Sequence, residues 1–105
     1  MARLIWAMPA LSDLEEIADY IAIENPSAAA TLVKRVFSTV EQLEQNPKSG
    51  KVSAVLQGSR YRELSCGPCR VFYRISQNEV IVLYVMRGER ELRNYILDER
   101  YSGNS

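Results

Sequence analysis

Two sets of residues in this 105-residue chain have types and spacings that could do chemistry. Cys66 and Cys69 enclose Gly67-Pro68. A Cys-x-x-Cys pair exchanges thiols for disulfides when it opens a helix, because the helix N-terminus lowers one thiol pKa and generates the attacking thiolate. The second set is arginine: Arg60, Arg62, Arg70, Arg74, Arg87 and Arg90, interleaved with Tyr61, Tyr73 and Tyr84. Guanidinium groups bind phosphates bidentately and tyrosine rings stack on bases, so that chemistry is recognition of an anionic partner. The chain has no histidine. A Ser-His-Asp triad, a Cys-His dyad and a histidine metal site are therefore excluded, and acid–base work falls to Asp, Glu, Lys, Tyr or Cys. The two cysteines supply half of a tetrahedral zinc site, so no metal and no cofactor is expected.

Context decides against redox catalysis by the cysteine pair. The residues that follow it, Arg70-Val71-Phe72-Tyr73-Arg74-Ile75, have the pattern of a strand, and no βαβ unit surrounds them. Gly67-Pro68 reads as a turn between two strands, which leaves a thiol oxidoreductase as a remote alternative.

The elements that must position these residues follow from periodicity. Residues 3–7 are short and apolar, as in a strand. Pro9 suits the first turn of a helix, and Leu11, Leu14, Ile17, Ala18 and Ile21 form its apolar stripe opposite an acidic, solvated face. Asn25-Pro26 breaks that helix, and Ser27 is a candidate cap for a second one, with the stripe Leu32, Val33, Val36, Phe37, Val40 and Leu43. About three residues join the two helices, so they form an antiparallel hairpin. Tyr20, Ile21 and the Phe37 stripe read as core, and Trp6 as packing. Strands follow at 61–65, 70–76 and 79–86, the last two joined by a tight Gln77-Asn78 turn. In the middle strand Arg70, Phe72 and Arg74 alternate with Val71, Tyr73 and Ile75, so one face could carry arginines. Residues 79–86 are apolar nearly throughout, as in a central strand buried on both faces. Residues 89–100 form a short charged helix, and 102–105 a frayed tail. The expected fold is α+β in the order β-α-α-β-β-β-α: a helical hairpin on one face of a small, largely antiparallel sheet, with a C-terminal helix, in one domain spanning 1–101.

Charge is segregated although 13 basic and 13 acidic residues cancel overall. Residues 9–46 hold seven acids against two bases, and residues 47–105 hold ten bases against six acids. The second half thus offers a candidate face for an anionic partner. Residues 1–10 carry one charge and no long apolar core, and no stretch approaches the ~20 apolar residues that span a bilayer, so a cytoplasmic protein without membrane contact is expected.

Taken in order, these landmarks resemble the RelE/ParE superfamily of toxins from bacterial type II toxin–antitoxin modules, on its ParE-like, plasmid-stabilisation branch. The resemblance rests on Ala10, Asp13-Leu14, Ile17 and Tyr20-Ile21 in the first helix, then on Asn25-Pro26 with Ala28-Ala29. Pro47-Lys48-Ser49-Gly50-Lys51, Gly58-Ser59-Arg60 and Arg70-Val71-Phe72-Tyr73-Arg74 continue it. Val85-Met86-Arg87-Gly88-Glu89-Arg90-Glu91 is similar to the family's V-x-H-G-x-R-D segment. The match covers residues 3–97.

That resemblance implies a toxin that inhibits DNA gyrase and blocks replication by binding, with no catalytic residues. It also implies neutralisation by a cognate, ParD-like, DNA-binding antitoxin, so that DNA is met only through these partners. The residues it assigns to target contact are Arg87, Arg90, Arg93, Arg74 and Arg60, with the C-terminal helix. The enzymatic alternative is a ribosome-dependent mRNA endonuclease of the RelE type, using Arg70 and Arg90 with Arg62 and Tyr95. Three departures disfavour it. Arg87 stands where the family often has histidine, and Tyr61-Arg62-Glu63-Leu64 replaces a strand that would carry a lysine pair. Glu63 would also place negative charge among phosphate-binding groups.

Overall fold

The computed structural model describes residues 1–52, 60–88 and 94–104. Strand β1 (Arg3–Trp6) leads into helix α1 (Met8–Ala22), and α2 (Pro26–Glu41) follows three residues later. Two single 3-10 turns, Gln42–Glu44 and Pro47–Ser49, carry the chain to the sheet strands. These are β2 (Lys51–Val52), β3 (Tyr61–Cys66), β4 (Cys69–Ser76) and β5 (Glu79–Arg87), and helix α3 (Asn94–Asn104) ends the chain. The sheet order is β1-β5-β4-β3-β2, with β1 parallel to β5 and every other pair antiparallel. The α+β class and the helical hairpin are as the sequence predicts. The short strand β2 is an addition.

Local chemistry sets the helix ends. Proline lies in the first turn of both α1 and α2, where its missing N–H costs no helical bond. The cap of α2 is Asn25, not Ser27: its side-chain oxygen accepts from the Ala28 N–H at 3.0 Å. Proline at 26 moves the cap two residues earlier, because a proline that opens a helix puts the capping position immediately before it.

The hairpin packs on one face of the sheet. Leu14 of α1 and Leu32, Val36 and Val40 of α2 join Val71, Tyr73, Val80 and Val82 in one buried cluster. The sequence expectation that helices cover only this face is incomplete. A second cluster on the opposite face unites Tyr61, Phe72, Ile81, Leu83, Met86 and Leu97, and it is α3 that supplies Leu97. Strand β5 is accordingly buried on both sides, as its unbroken apolar run requires. Helix α3 also continues through Asn104, past the ending at residue 100 and the frayed 102–105 that the sequence suggests. Arg100 and Tyr101 are tied to the sheet by side-chain contacts, which hold the last turns in place.

One irregularity shapes the centre. In the β4–β5 ladder Phe72 pairs with Tyr84 and Tyr73 with Val82, so Leu83 is an extra residue and a β-bulge. Leu83 and its neighbour Tyr84 therefore both turn to the α3 face, where strict alternation would separate them. Tyr20 and Phe37, expected in the core, lie at the surface, 67% and 39% exposed. Each instead meets one neighbour there: Phe37 packs its ring 4.9 Å from that of Trp6, and Tyr20 lies beneath Arg87.

Candidate functional site

The two faces of the sheet divide the arginines. On the α3 face, Arg70 donates from Nε and Nη2 to Oε2 of Glu63 at 2.9 and 2.7 Å. Its guanidinium also lies 5.0 Å from the centre of the Phe72 ring. Glu63 is only 6% exposed, so a buried carboxylate holds this arginine where a phosphate would otherwise compete. Arg74 lies over the Tyr101 ring at 4.0 Å and over Tyr61 at 6.0 Å. The Tyr61 hydroxyl donates to Asp98 of α3. Burial, then the adjacent Asp98 carboxylate, raises the Tyr61 pKa against a lowering effect of Arg74, so the phenol stays neutral.

On the hairpin face, Arg62 donates to the Gly50 carbonyl at 2.7 Å and to that of Lys48 at 3.3 Å. Tyr73 completes the same anchor: its hydroxyl donates to the Pro47 carbonyl at 2.7 Å and accepts from the Gly50 N–H at 2.9 Å. A Cβ on Gly50 would come within 2.5 Å of the Tyr73 oxygen, so only glycine allows this approach. Arg62 thus holds a loop.

These placements separate the nuclease set. Arg62 and Arg70 lie on opposite faces of the sheet, each occupied by protein groups. Arg90 lies outside the described residues, as does the side chain of Tyr95. The target-contact set is also spread. Arg60 and Arg74 are at the β4–β5 turn end of the sheet, and Arg87 is six residues further along β5, on the order of 20 Å away. Arg90 and Arg93 lie outside the described residues.

Arg87 differs from the other sheet arginines. It is exposed, and among the described residues no carboxylate lies within ion-pair distance of it. Its guanidinium sits 5.7 Å from the centre of the Tyr20 ring. The two residues border an open groove of about 560 Å³, walled by α1 (Asp13, Ile17, Tyr20) and the end of β5 (Tyr84, Met86, Arg87). A mixed groove of this kind, with an aromatic ring beneath an accessible cation, suits recognition of an anionic or planar group. The sequence marks Arg87 but places Tyr20 in the core, because the 3.6-residue period sets Tyr20 beside Ile17 and Ile21 at the edge of the stripe.

The groove wall depends on a group that the sequence hid among solvated acids. Asp13 accepts from Arg100 at 2.6 Å and from the Val85 N–H at 3.0 Å, while Arg100 also donates to the Leu83 carbonyl at 2.9 Å. The legible signals are that Asp13 lies four residues before Ile17, on the flank of the buried stripe, and that Asp13-Leu14 is among the landmarks of the family resemblance.

The cysteines form no redox-catalytic site. Cys66 and Cys69 are direct cross-strand partners at the end of the β3–β4 hairpin, both buried and both free thiols. Gly67, at φ +58°, turns the two-residue loop between them. No helix starts at either thiol, and burial raises the Cys69 pKa, with Cys66 adding to the rise and Arg87 opposing it. Among the described residues no group of three or more metal-ligating side chains occurs, and no helix is long and apolar enough to cross a membrane.

Residues 4–92 match a family model described as ParE toxin of type II toxin-antitoxin system, parDE. The chain is 35% identical over 89 residues to the protein Y4kP of Sinorhizobium fredii, covering 85% of this chain and 91% of that one. It is 29% identical over 91 residues to Toxin RelE2 of Caulobacter vibrioides, covering 86% and 99%. A solved structure described as the chromosomal ParDE TA system from P. aeruginosa superposes with a TM-score of 0.74 at 28% identity, over 85% of this chain and 98% of that one.

Proposed function

Because this chain belongs to the ParE toxin family of type II toxin–antitoxin systems, we propose that it arrests growth by binding DNA gyrase and blocking replication, without catalysis of its own. The observation that carries this reading is the state of the nuclease arginines. Arg70 is neutralised by a buried carboxylate and Arg62 holds backbone carbonyls on the other face, so no phosphate-activating cluster assembles among the described residues. Arg87 is an exposed cation with no carboxylate partner among the described residues, set beside Tyr20 on an open groove, and it is the residue through which the target is met.

A cognate, DNA-binding antitoxin neutralises the toxin in the cytoplasm. Its flexible segment lies along the α1–α2 hairpin, where Ile23 is 81% exposed, and adds a strand to the sheet edge. Among the described residues the two-residue strand β2 pairs only with Arg62 and Glu63 of β3, and the antitoxin strand pairs with the backbone beyond them.

The deciding experiment places purified toxin on gyrase supercoiling and, in parallel, on translating ribosomes with mRNA. Inhibited supercoiling with intact transcripts is expected. Cleaved transcripts with unimpaired supercoiling would overturn the proposal in favour of the RelE-type endonuclease.

A further inference from the structure

The Cys66–Cys69 pair has no part in the function proposed above, yet its placement is specific. The two residues flank a two-residue turn as direct antiparallel partners, and both side chains enter the same buried cluster. Direct antiparallel partners have Cα atoms ~4.5–5.5 Å apart, inside the ~4.4–6.8 Å range that a disulfide spans. A bond between them therefore needs side-chain rotation and no displacement of strands. The chain has no other cysteine, so each thiol has one intramolecular partner.

The turn between them is also a mount. Cys69 is the register partner of Arg87, and the Pro68 carbonyl accepts from the Gly88 N–H at 3.1 Å. On the other side Cys66 donates from Sγ to Oγ1 of Thr39 in α2 at 3.5 Å. The hairpin tip thus links α2 to the end of β5, from which Arg87 projects.

We propose that Cys66 and Cys69 are a reversible modification site: a disulfide that closes the hairpin tip and stiffens the end of β5 beneath Arg87. The oxidant is a low-molecular-weight disulfide such as oxidised glutathione. One cysteine, as thiolate, attacks a glutathione sulfur; the glutathione S–S bond breaks and the departing thiolate takes up a proton. The second cysteine, deprotonated in turn, attacks the protein-bound sulfur of the mixed disulfide and releases the second glutathione. Two protein thiols lose two electrons, and one glutathione disulfide becomes two glutathione thiols. Gly67 and Pro68 are exposed, so attack comes from the tip. Burial raises the Cys69 pKa and neither thiol opens a helix, so the bond forms slowly and the pair stores a redox state instead of turning over. The thiol chemistry is independent of the gyrase reading; only its consequence for target contact rests on it.

The test equilibrates the folded protein in glutathione buffers from reduced to oxidised, alkylates the remaining thiols under acid quench, and weighs the intact chain. The expected product is a monomer lacking two hydrogens, formed in a two-electron transition and reversed by dithiothreitol. Cys66→Ala and Cys69→Ala should each stop at a glutathione adduct. In the bridged wild type, amide exchange at Gly88 should slow by about tenfold relative to the reduced protein. A stable glutathione adduct or a disulfide-linked dimer as the wild-type end product would overturn the site. A bridge that leaves Gly88 exchange unchanged would overturn the coupling to Arg87. Neither readout involves gyrase, so failure here and failure of the target reading are distinct.

Discussion

Asp13 of α1 and Arg100 of α3 join across the sheet at the one place where β5 breaks its ladder. The pair is 2.6 Å apart, and the same two side chains take the Val85 N–H and the Leu83 carbonyl on either side of Tyr84. Strand β1 pairs with β5 only as far as Val82, so beyond it β5 has backbone groups without a ladder partner on that side, and unpaired buried groups cost about 1–3 kcal/mol each. The ion pair supplies those partners and ties a helix from each face to the central strand.

Breaking that pair should therefore cost more than a surface ion pair does. With side chains only 16% and 20% exposed, Asp13→Ala is expected to lower stability by about 2–4 kcal/mol. Asp13→Asn, which keeps an acceptor for the Val85 N–H, should lose less. Urea unfolding of both variants, with Arg100→Ala and the Asp13→Ala/Arg100→Ala double variant, checks this. Coupling below about 0.5 kcal/mol would contradict the assignment.

Glu63 should prove structural for the same reason. Glu63→Gln leaves Arg70, 22% exposed, without its charge partner, and a loss of about 1–3 kcal/mol is expected in chemical denaturation. Gyrase inhibition by the folded variant should persist, since neither residue borders the Arg87 groove.

Arg87→Ala should give the opposite pattern. The side chain is exposed and lies over Tyr20, itself 67% exposed, so stability should change by less than about 0.5 kcal/mol. Growth arrest on induction should be lost, while binding to the cognate antitoxin along the hairpin is retained. Undiminished arrest would move the target contact elsewhere.

The turn between β4 and β5 contains a strained residue that glycine would relieve. Gln77 has φ +55°, a left-handed conformation that costs an L-residue roughly 1–2 kcal/mol. The greater freedom of glycine in the unfolded chain offsets part of that gain. Gln77→Gly is expected to raise stability by about 0.5–1 kcal/mol, read as a rise in Tm.

Alkaline pH should destabilise the fold in a way that Tyr73 helps to set. Burial raises the Tyr73 pKa above 10.0, against the lowering effects of the Gly50 N–H and Arg62, and Tyr61 and Cys69 are raised as well. The folded state holds these protons more tightly than the unfolded chain. Their stabilisation is therefore complete below the unfolded values and declines as pH rises through them towards the folded values. Stability should fall from about pH 9, where cysteine begins to titrate, and more steeply above pH 10. Tyr73→Phe should be less stable at neutral pH, through loss of two hydrogen bonds, but show a shallower alkaline slope.

The elements of this protein were legible because they rest on local chemistry. Pro9 and Pro26 open helices, the period of Leu32, Val36 and Val40 marks a buried stripe, and two-residue turns at 67–68 and 77–78 oblige adjacent strands to pair. The hairpin context also showed from sequence that Cys66 and Cys69 do not open a helix. Family membership was legible for a similar reason, since it is carried by the order and spacing of short segments.

Tertiary structure decided which arginines remain available. Nothing in the strand pattern shows that Arg70 is taken by Glu63, Arg62 by the Gly50 carbonyl, or Arg100 by an aspartate 87 positions away. Periodicity assigns a residue to a face of its own element, but not to a partner on another. A guanidinium reaches several ångströms from its backbone, so its partner depends on how elements stack and on where a bulge shifts the register. Strict alternation would part Leu83 from Tyr84; the bulge turns both to the α3 face, and the end of β1 at Trp6 leaves the backbone groups that Asp13 and Arg100 meet. The sequence determined that this chain carries arginines on a sheet, and the packing of α1 and α3 on β5 determined that Arg87 faces solvent beside an aromatic ring, without a carboxylate partner among the described residues.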